Sequence, residues 1–149
     1  MYQSIESRVQ AVQANIDLAC SGINQSAQSV RVIAVSKLQS TEIIQKAYDS
    51  GVRDFGENYA QELHQKVGSC PADIIWHFIG PIQSNKTKLI AENFDWVQSV
   101  DREKILLRLN QQRPKNLKPL QVCIQANLFD EEQKKGANLN QLSDLLEIT

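Results

Sequence analysis

The chain has 149 residues, of which 42% are hydrophobic and 22% are charged. This length and this composition are typical of one globular domain with its own hydrophobic core, and they exclude a disordered chain. The formal net charge of −1, from 16 Lys plus Arg against 17 Asp plus Glu, argues against a domain that binds nucleic acid through bulk electrostatics.

The predicted elements begin with an amphipathic helix over residues 2–20, where apolar side chains recur at spacings of three and four residues. The β-branched run at residues 30–35 contains one charge, a pattern typical of a strand buried on both faces of a parallel sheet. Ser40 or Thr41 is the predicted cap of the next helix, which ends at Gly51.

Four further strands, each followed by a helix, continue this alternation. The predicted caps of the third and fourth helices that follow strands are Ser84 and Asp101, and the last helix begins near Asn138. Because strands that alternate with helices are joined by right-handed crossovers, we expect a parallel sheet. The four strands are predicted at residues 52–55, 74–79, 95–100 and 120–126.

Five parallel strands fit two architectures, a doubly wound open sheet and the first part of an eight-stranded α/β barrel. Periodicity alone does not distinguish them. The apolar stripe of the last helix still runs at residues 145–149 without a C-cap signal, so the chain looks cut there, which favours the barrel.

Neither a targeting segment nor a metal site is predicted. Charged residues interrupt the first 20 residues, and no apolar run approaches the roughly 18 residues that cross a membrane. We therefore expect a cytoplasmic protein without membrane contact. Cys20, Cys70 and Cys123 form no CxxC pair and lie at no zinc-ligand spacing from the histidines, so we interpret them as small buried thiols in a reducing compartment.

Lys37 comes directly after the first predicted strand, at the end of the sheet where α/β folds bind their ligands. Low-dielectric walls at this place would favour the neutral amine, which is the form that a Schiff base with an aldehyde requires. From its position alone, a surface lysine whose aliphatic stem packs along the protein is the commoner case.

Other polar candidates follow the neighbouring strands. Asn58 offers an amide to the polar edge of a ligand, or it merely caps the helix that it precedes. His77, inside an apolar strand, is more often a hydrogen-bonded lining residue than an acid or a base. Residues 80–86 lead into a helix start and could hold an anion, although they lack the glycine spacing of a P-loop.

Several short motifs follow one another along the chain: AVSK at 34–37, DFGENY at 54–59, WHFIG at 76–80 with QSNK at 83–86, and SVD at 99–101. In order and spacing they resemble the pyridoxal phosphate homeostasis protein family. The resemblance runs from the first helix to the last loop. It implies a (β/α)8 TIM barrel like the N-terminal domain of alanine racemase, usually monomeric and without a second β-domain.

The resemblance also implies a cofactor and a role. The lysine that matches Lys37 carries pyridoxal 5′-phosphate (PLP) as a Schiff base, and we place Asn58 and His77 in the same cofactor site. Lys134 matches a lysine discussed as a secondary contact, although Gln133 stands where the family often has Ser. Family members bind PLP, buffer it or pass it to PLP-dependent apo-enzymes, without robust catalytic turnover.

The later strands of the family, with the segments that hold the phosphate of the cofactor, have no counterpart in the sequence. We therefore interpret residues 1–149 as a single partial barrel domain with about the first five βα units of the barrel. Open strand edges predict self-association. Each charge-assisted hydrogen bond that is missing is worth about 1.5–3 kcal/mol, so we expect a longer parent to bind PLP at Lys37 and this chain alone to bind it weakly or not at all.

Two other functions stay open at this point. A PLP-dependent racemase or decarboxylase would need a second acid/base group opposite the lysine, commonly from another domain or subunit. An interaction domain with a doubly wound sheet would need no cofactor, and Lys37 would then show no special reactivity towards aldehydes.

Overall fold

The computed structural model describes residues 4–23, 25–129 and 133–148, in which helices and strands alternate as predicted. The helices are α1 (Ile5–Ser21), α2 (Thr41–Asp49), α3 (Ala60–Lys66), α4 (Thr87–Asn93), α5 (Glu103–Gln112) and α6 (Leu139–Ile148). The strands are β1 (Ile33–Val35), β2 (Asp54–Glu57), β3 (Ile75–Phe78), β4 (Trp96–Val100) and β5 (Gln121–Ile124). Short 3₁₀ helices lie at Ala27–Ser29, Val67–Ser69 and Ser84–Lys86.

The order of the strands decides between the two architectures. All five strands run parallel in one sheet, in the order β1-β2-β3-β4-β5. A doubly wound sheet reverses its strand order at a switch point, and no reversal occurs here. Crossovers of one hand in an unreversed sheet place all the helices on one face, as in an α/β barrel. Successive helices from α3 to α6 accordingly pack on one another.

The hydrophobic core lies between the sheet and these helices. Alternate strand residues point towards the helices, among them Phe55 and Trp76, whose ring centroids are 5.8 Å apart. Phe78 meets Phe94 edge to face at 5.3 Å. The helices contribute the fully buried side chains of Leu63, Ile90, Ile105 and Leu109.

The first strand departs from its prediction. It was expected to be buried on both faces over residues 30–35, but β1 begins at Ile33, and Val35 is 54% exposed. The physical reason is its place in the sheet, since β1 pairs with β2 alone among the described residues. One side of β1 therefore has no neighbouring strand in this part of the chain.

Two predicted helix caps are also wrong. Ser84 lies in a 3₁₀ helix, and its carbonyl accepts a hydrogen bond from the hydroxyl of Thr87, where α4 begins. The carboxylate of Asp101 pairs with the guanidinium of Arg102 at 2.8 Å, and Arg102 itself occupies the N-cap position of α5. Ser40 does occupy the N-cap position of α2, although its hydroxyl makes no capping bond.

The cysteines are free thiols, and two of the three are less buried than expected. Cys20 is buried, whereas Cys70 and Cys123 are half-buried. Desolvation raises the pKa of the Cys70 thiol, and the positive charge of Lys66 offsets part of this rise. In the part of the chain that the structure describes, no helix is both long and apolar enough to cross a membrane.

Replacing Ile90 by Ala tests the core that this architecture implies. The side chain of Ile90 is completely buried, so we expect Ile90→Ala to lower the free energy of unfolding by about 2–5 kcal/mol. The control Leu117→Ala removes a side chain that is 39% exposed and should change it by at most about 0.5 kcal/mol. Urea unfolding followed by circular dichroism measures both values, and equal losses would contradict the assigned core.

Candidate functional site

Lys37 lies at the carboxyl end of β1, where the chain turns towards α2. Its side chain is exposed, so the expectation that low-dielectric walls surround the amine is wrong. Among the described residues no hydrogen bond or ion pair engages this amine, and none joins it to Asn58 or His77.

The backbone around this amine is fixed, although the side chain is exposed. We call residues 36–39 the Lys37 turn. The Ser36 N–H donates to the Gly56 carbonyl at 2.9 Å, and the Gln39 N–H closes the turn on the Ser36 carbonyl at 3.0 Å. Leu38 has a φ of +60°, in the left-handed region that L-residues rarely adopt.

A buried ion pair lies beside the turn. Nζ of Lys66 is 2.6 Å from Oε1 of Glu57 and 3.0 Å from Oε1 of Glu62. The Ser36 hydroxyl donates to the same Glu57 oxygen at 2.7 Å. We call these four residues the Lys66 cluster. The motif at residues 54–59 includes Glu57, but sequence reasoning missed Lys66, because Glu62 and Lys66 are four residues apart on a helix and such a pair usually lies on the surface.

His77 takes part in a polar chain on the inner face of the sheet. Its Nε2 lies 2.8 Å from Oδ1 of Asp54, and its Nδ1 lies 2.9 Å from the amide nitrogen of Gln98. A carboxylate accepts and an amide nitrogen donates, so in this arrangement Nε2 donates to Asp54 and Nδ1 accepts from Gln98. The ring is 1% exposed and stacks on Trp96 at 5.7 Å. Since both nitrogens are engaged, the ring is a hydrogen-bonded lining residue.

Asn58 lies where the loops after β2 and β3 approach each other. It is half-buried, and Tyr59 occupies the N-cap position of α3, so Asn58 does not cap that helix. A Cβ on residue 80 would lie 2.6 Å from the Asn58 carbonyl oxygen, which is too close, so only glycine fits at this position. The Ser99 hydroxyl donates to the Gly80 carbonyl. Close packing and a hydrogen bond therefore connect the carboxyl ends of β2, β3 and β4.

The predicted anion segment at residues 80–86 has a small pocket beside it. The pocket has a volume of about 150 Å³ and lies between this segment and Asn58, with Gln83 and Lys86 in its lining. Pockets for small molecules usually measure about 300–1,000 Å³. Anion binding at this segment stays a prediction from the sequence.

Lys134 lies in the exposed loop after β5. The Asn127 side-chain amide donates to the Lys134 carbonyl at 3.2 Å, and Gly136, with a φ of +137°, packs tightly against the backbone at Ala126. The predicted loop residues at 130–132 lie outside the described residues. Lys134 and Lys37 occupy the same end of the sheet but opposite edges, since β1 and β5 are its outermost strands.

Comparison with known proteins gives one family model and several relatives. The model described as alanine racemase, N-terminal domain, matches residues 8–148. The pyridoxal phosphate homeostasis protein of Pasteurella multocida is 47% identical, over 95% of this chain and 62% of that protein. The protein of the same name from Vibrio cholerae is 45% identical, over 98% of this chain and 64% of that protein. The chain thus spans about three fifths of the length of these curated relatives.

Two solved structures place the chain among barrels of this type. PipY of Synechococcus elongatus with PLP bound has a TM-score of 0.79 and 31% identity, and the match covers 97% of this chain and 64% of that one. Alanine racemase from E. faecalis has a TM-score of 0.64 at 15% identity, over 93% of this chain and 38% of that one, which shows the shared fold alone. The resemblance that the motifs predicted is confirmed.

Adding a methyl group at Gly80 tests the close packing of Gly80 against the backbone of Asn58. Because the group that it would meet is backbone, we expect Gly80→Ala to lower the free energy of unfolding by about 1–3 kcal/mol. The amide resonance of Asn58 should shift in an NMR spectrum. The control is Gly68→Ala, whose Cβ would meet nothing within 4 Å and should change stability by at most about 0.5 kcal/mol. Identical spectra and stabilities for the two variants would show that the loops are not in close contact.

Proposed function

Because the chain belongs to the alanine racemase N-terminal domain family, we propose that it binds PLP as part of intracellular PLP homeostasis, with the cofactor held as a Schiff base on Lys37. One observation carries the proposal: an amine that no described residue engages lies on a fixed turn at the carboxyl end of a barrel strand. This is the end at which α/β barrels bind their ligands. A relative with the same fold is known with PLP bound.

The residues at this end fit the aldehyde part of the cofactor. PLP supplies an aldehyde that condenses with a primary amine and releases water. The Lys37 amine has no carboxylate partner among the described residues, so no ion pair must break before it reacts. Asn58 belongs to the proposed site as a polar contact. We propose His77 as a support of the inner wall, since Asp54 and Gln98 already engage its ring nitrogens.

We also propose a carrier role without turnover. The names of the relatives support it, since they describe PLP homeostasis and name no reaction. The likeness to alanine racemase concerns the fold alone and favours no racemase chemistry. Delivery of PLP to apo-enzymes, a cytoplasmic location, a monomeric parent and a secondary contact at Lys134 belong to the same proposal.

Borohydride trapping tests the attachment site. Reduction makes a Schiff base permanent, so the method detects even weak binding by the 149-residue chain. We expect PLP to label Lys37 at about one-tenth of the concentration that labels the exposed Lys115. Peptide mapping by mass spectrometry after reduction measures both. The absorbance band of the Schiff base should also disappear in Lys37→Arg, which keeps the charge but offers no primary amine.

The matched control for this trapping is Lys115→Arg, which should retain the band. Equal labelling of Lys37 and of exposed lysines elsewhere on the surface, such as Lys104, Lys115 and Lys118, would contradict the proposal. So would a band that survives in Lys37→Arg.

An assay with L-alanine tests the absence of turnover. We expect the chain with PLP to racemise L-alanine no faster than the same concentration of free PLP, because the cofactor alone supplies the basal reaction. The formation of D-alanine, followed with a D-amino acid oxidase, measures the rate. A rate that rises in proportion to protein concentration and is lost in Lys37→Arg would replace the carrier role with the racemase alternative.

A further inference from the structure

The Lys37 turn is held by side chains that come from a different βα unit. Oε1 of Glu62, on α3, accepts a hydrogen bond from the Leu38 backbone N–H at 2.6 Å. The Lys66 ammonium, which also pairs with two carboxylates, shares its remaining N–H between the carbonyl oxygens of the first and last residues of the turn, at 3.3 and 3.5 Å. The bonds from α3 therefore fall on every residue of the turn except the lysine itself.

The groups that hold the turn have little freedom to rearrange. The side chain of Glu57 is fully buried, and that of Lys66 is 10% exposed. Oε2 of Glu57 has no hydrogen-bond partner among the described residues, so its charge depends on Lys66 and on the Ser36 hydroxyl. Removing one partner of such a pair leaves an uncompensated charge in the interior. The ammonium is therefore held at one place, between β2 and the turn.

Leu38 shows that the turn is constrained from outside. Among the described residues other than glycine, it has the one positive φ, and its side chain is 79% exposed. Burial of the leucine side chain does not explain this conformation. Strained backbone persists where surrounding contacts over-determine it, and the bond from the Leu38 N–H to Glu62 is such a contact.

We propose that the Lys66 cluster is the positioning device for the Lys37 amine. The cluster fixes the backbone on both sides of Lys37, so that the exposed amine reaches the cofactor from one direction. This inference rests on the proposed attachment of PLP to Lys37. Glu62 is a positioning residue, since its bond is to the backbone of the turn and acts on the amine only through it.

Glu62→Ala is the sharpest test, because Glu62 is the least buried member of the cluster, with a side chain 23% exposed, and its loss leaves the Lys66–Glu57 pair in place. We expect faster hydrogen exchange at the Leu38 amide and PLP affinity weakened by about 10- to 100-fold, with PLP still attached to Lys37 in peptide maps. Glu62→Gln keeps an acceptor oxygen and should retain most of the protection and the affinity. Absorbance titration and NMR-detected exchange measure the two effects.

Glu92→Ala is the matched control, because Glu92 pairs with Lys88 at the same i,i+4 spacing on the neighbouring helix. It should leave both values at those of the unmodified chain. Unchanged PLP affinity in Glu62→Ala, with faster exchange at Leu38, would overturn the positioning role. Unchanged exchange would show that Glu62 does not hold the turn. Trapping of PLP on Lys115 but not on Lys37 in the unmodified chain would end the proposed function and the positioning role together, whereas the exchange rates alone report on the turn.

Discussion

The alternation of side chains along five parallel strands is the constraint on which this structure depends. Each strand turns one set of residues towards the helices and the other towards the inner face of the sheet. The outward set, such as Phe55, Trp76 and Phe78, is apolar and forms the core. The inward set includes Asp54 and His77, whose polar groups cannot be left unpaired in the interior. They satisfy one another across neighbouring strands, and this bond supports the register between β2 and β3.

The Lys66 cluster is the exception to this division, and it lies where the strands end. Glu57 is the last residue of β2 and points towards the helices, where a carboxylate would be unfavourable without a partner. Lys66 supplies that partner, and Ser36 supplies a hydrogen bond from the end of β1. One buried charge pair thus connects β1, β2 and α3. The same atoms that compensate Glu57 also hold the backbone beside Lys37.

The helices and strands were predicted well from the sequence, because periodicity and turn residues act over short stretches of chain. Periodicity and turn residues indicated all five strands, and the motif around Lys37 indicated its family. Two features could not be predicted because their causes are tertiary. The exposure of Val35 follows from the edge position of β1, and the burial of Lys66 follows from the packing of α3 on β2. The Ser84 cap failed for a local reason, since a 3₁₀ turn precedes α4 and the helix begins at Thr87. Spacing along the chain describes Glu62 and Lys66 as a surface pair and gives no sign of Glu57 beneath them.

An exposed amine raises the question of how Lys37 would differ from the other lysines of the surface. The condensation with an aldehyde is the same at each of them, so selectivity must come from what surrounds the amine. A flexible lysine loses both backbone and side-chain freedom when it is held in one orientation, and this entropy opposes binding. At Lys37 the bonds from α3 have already removed the backbone part. The four-carbon side chain alone would then remain to be ordered, as it would for a helical lysine such as Lys104, so contacts to the cofactor at the carboxyl end of the barrel would have to favour Lys37.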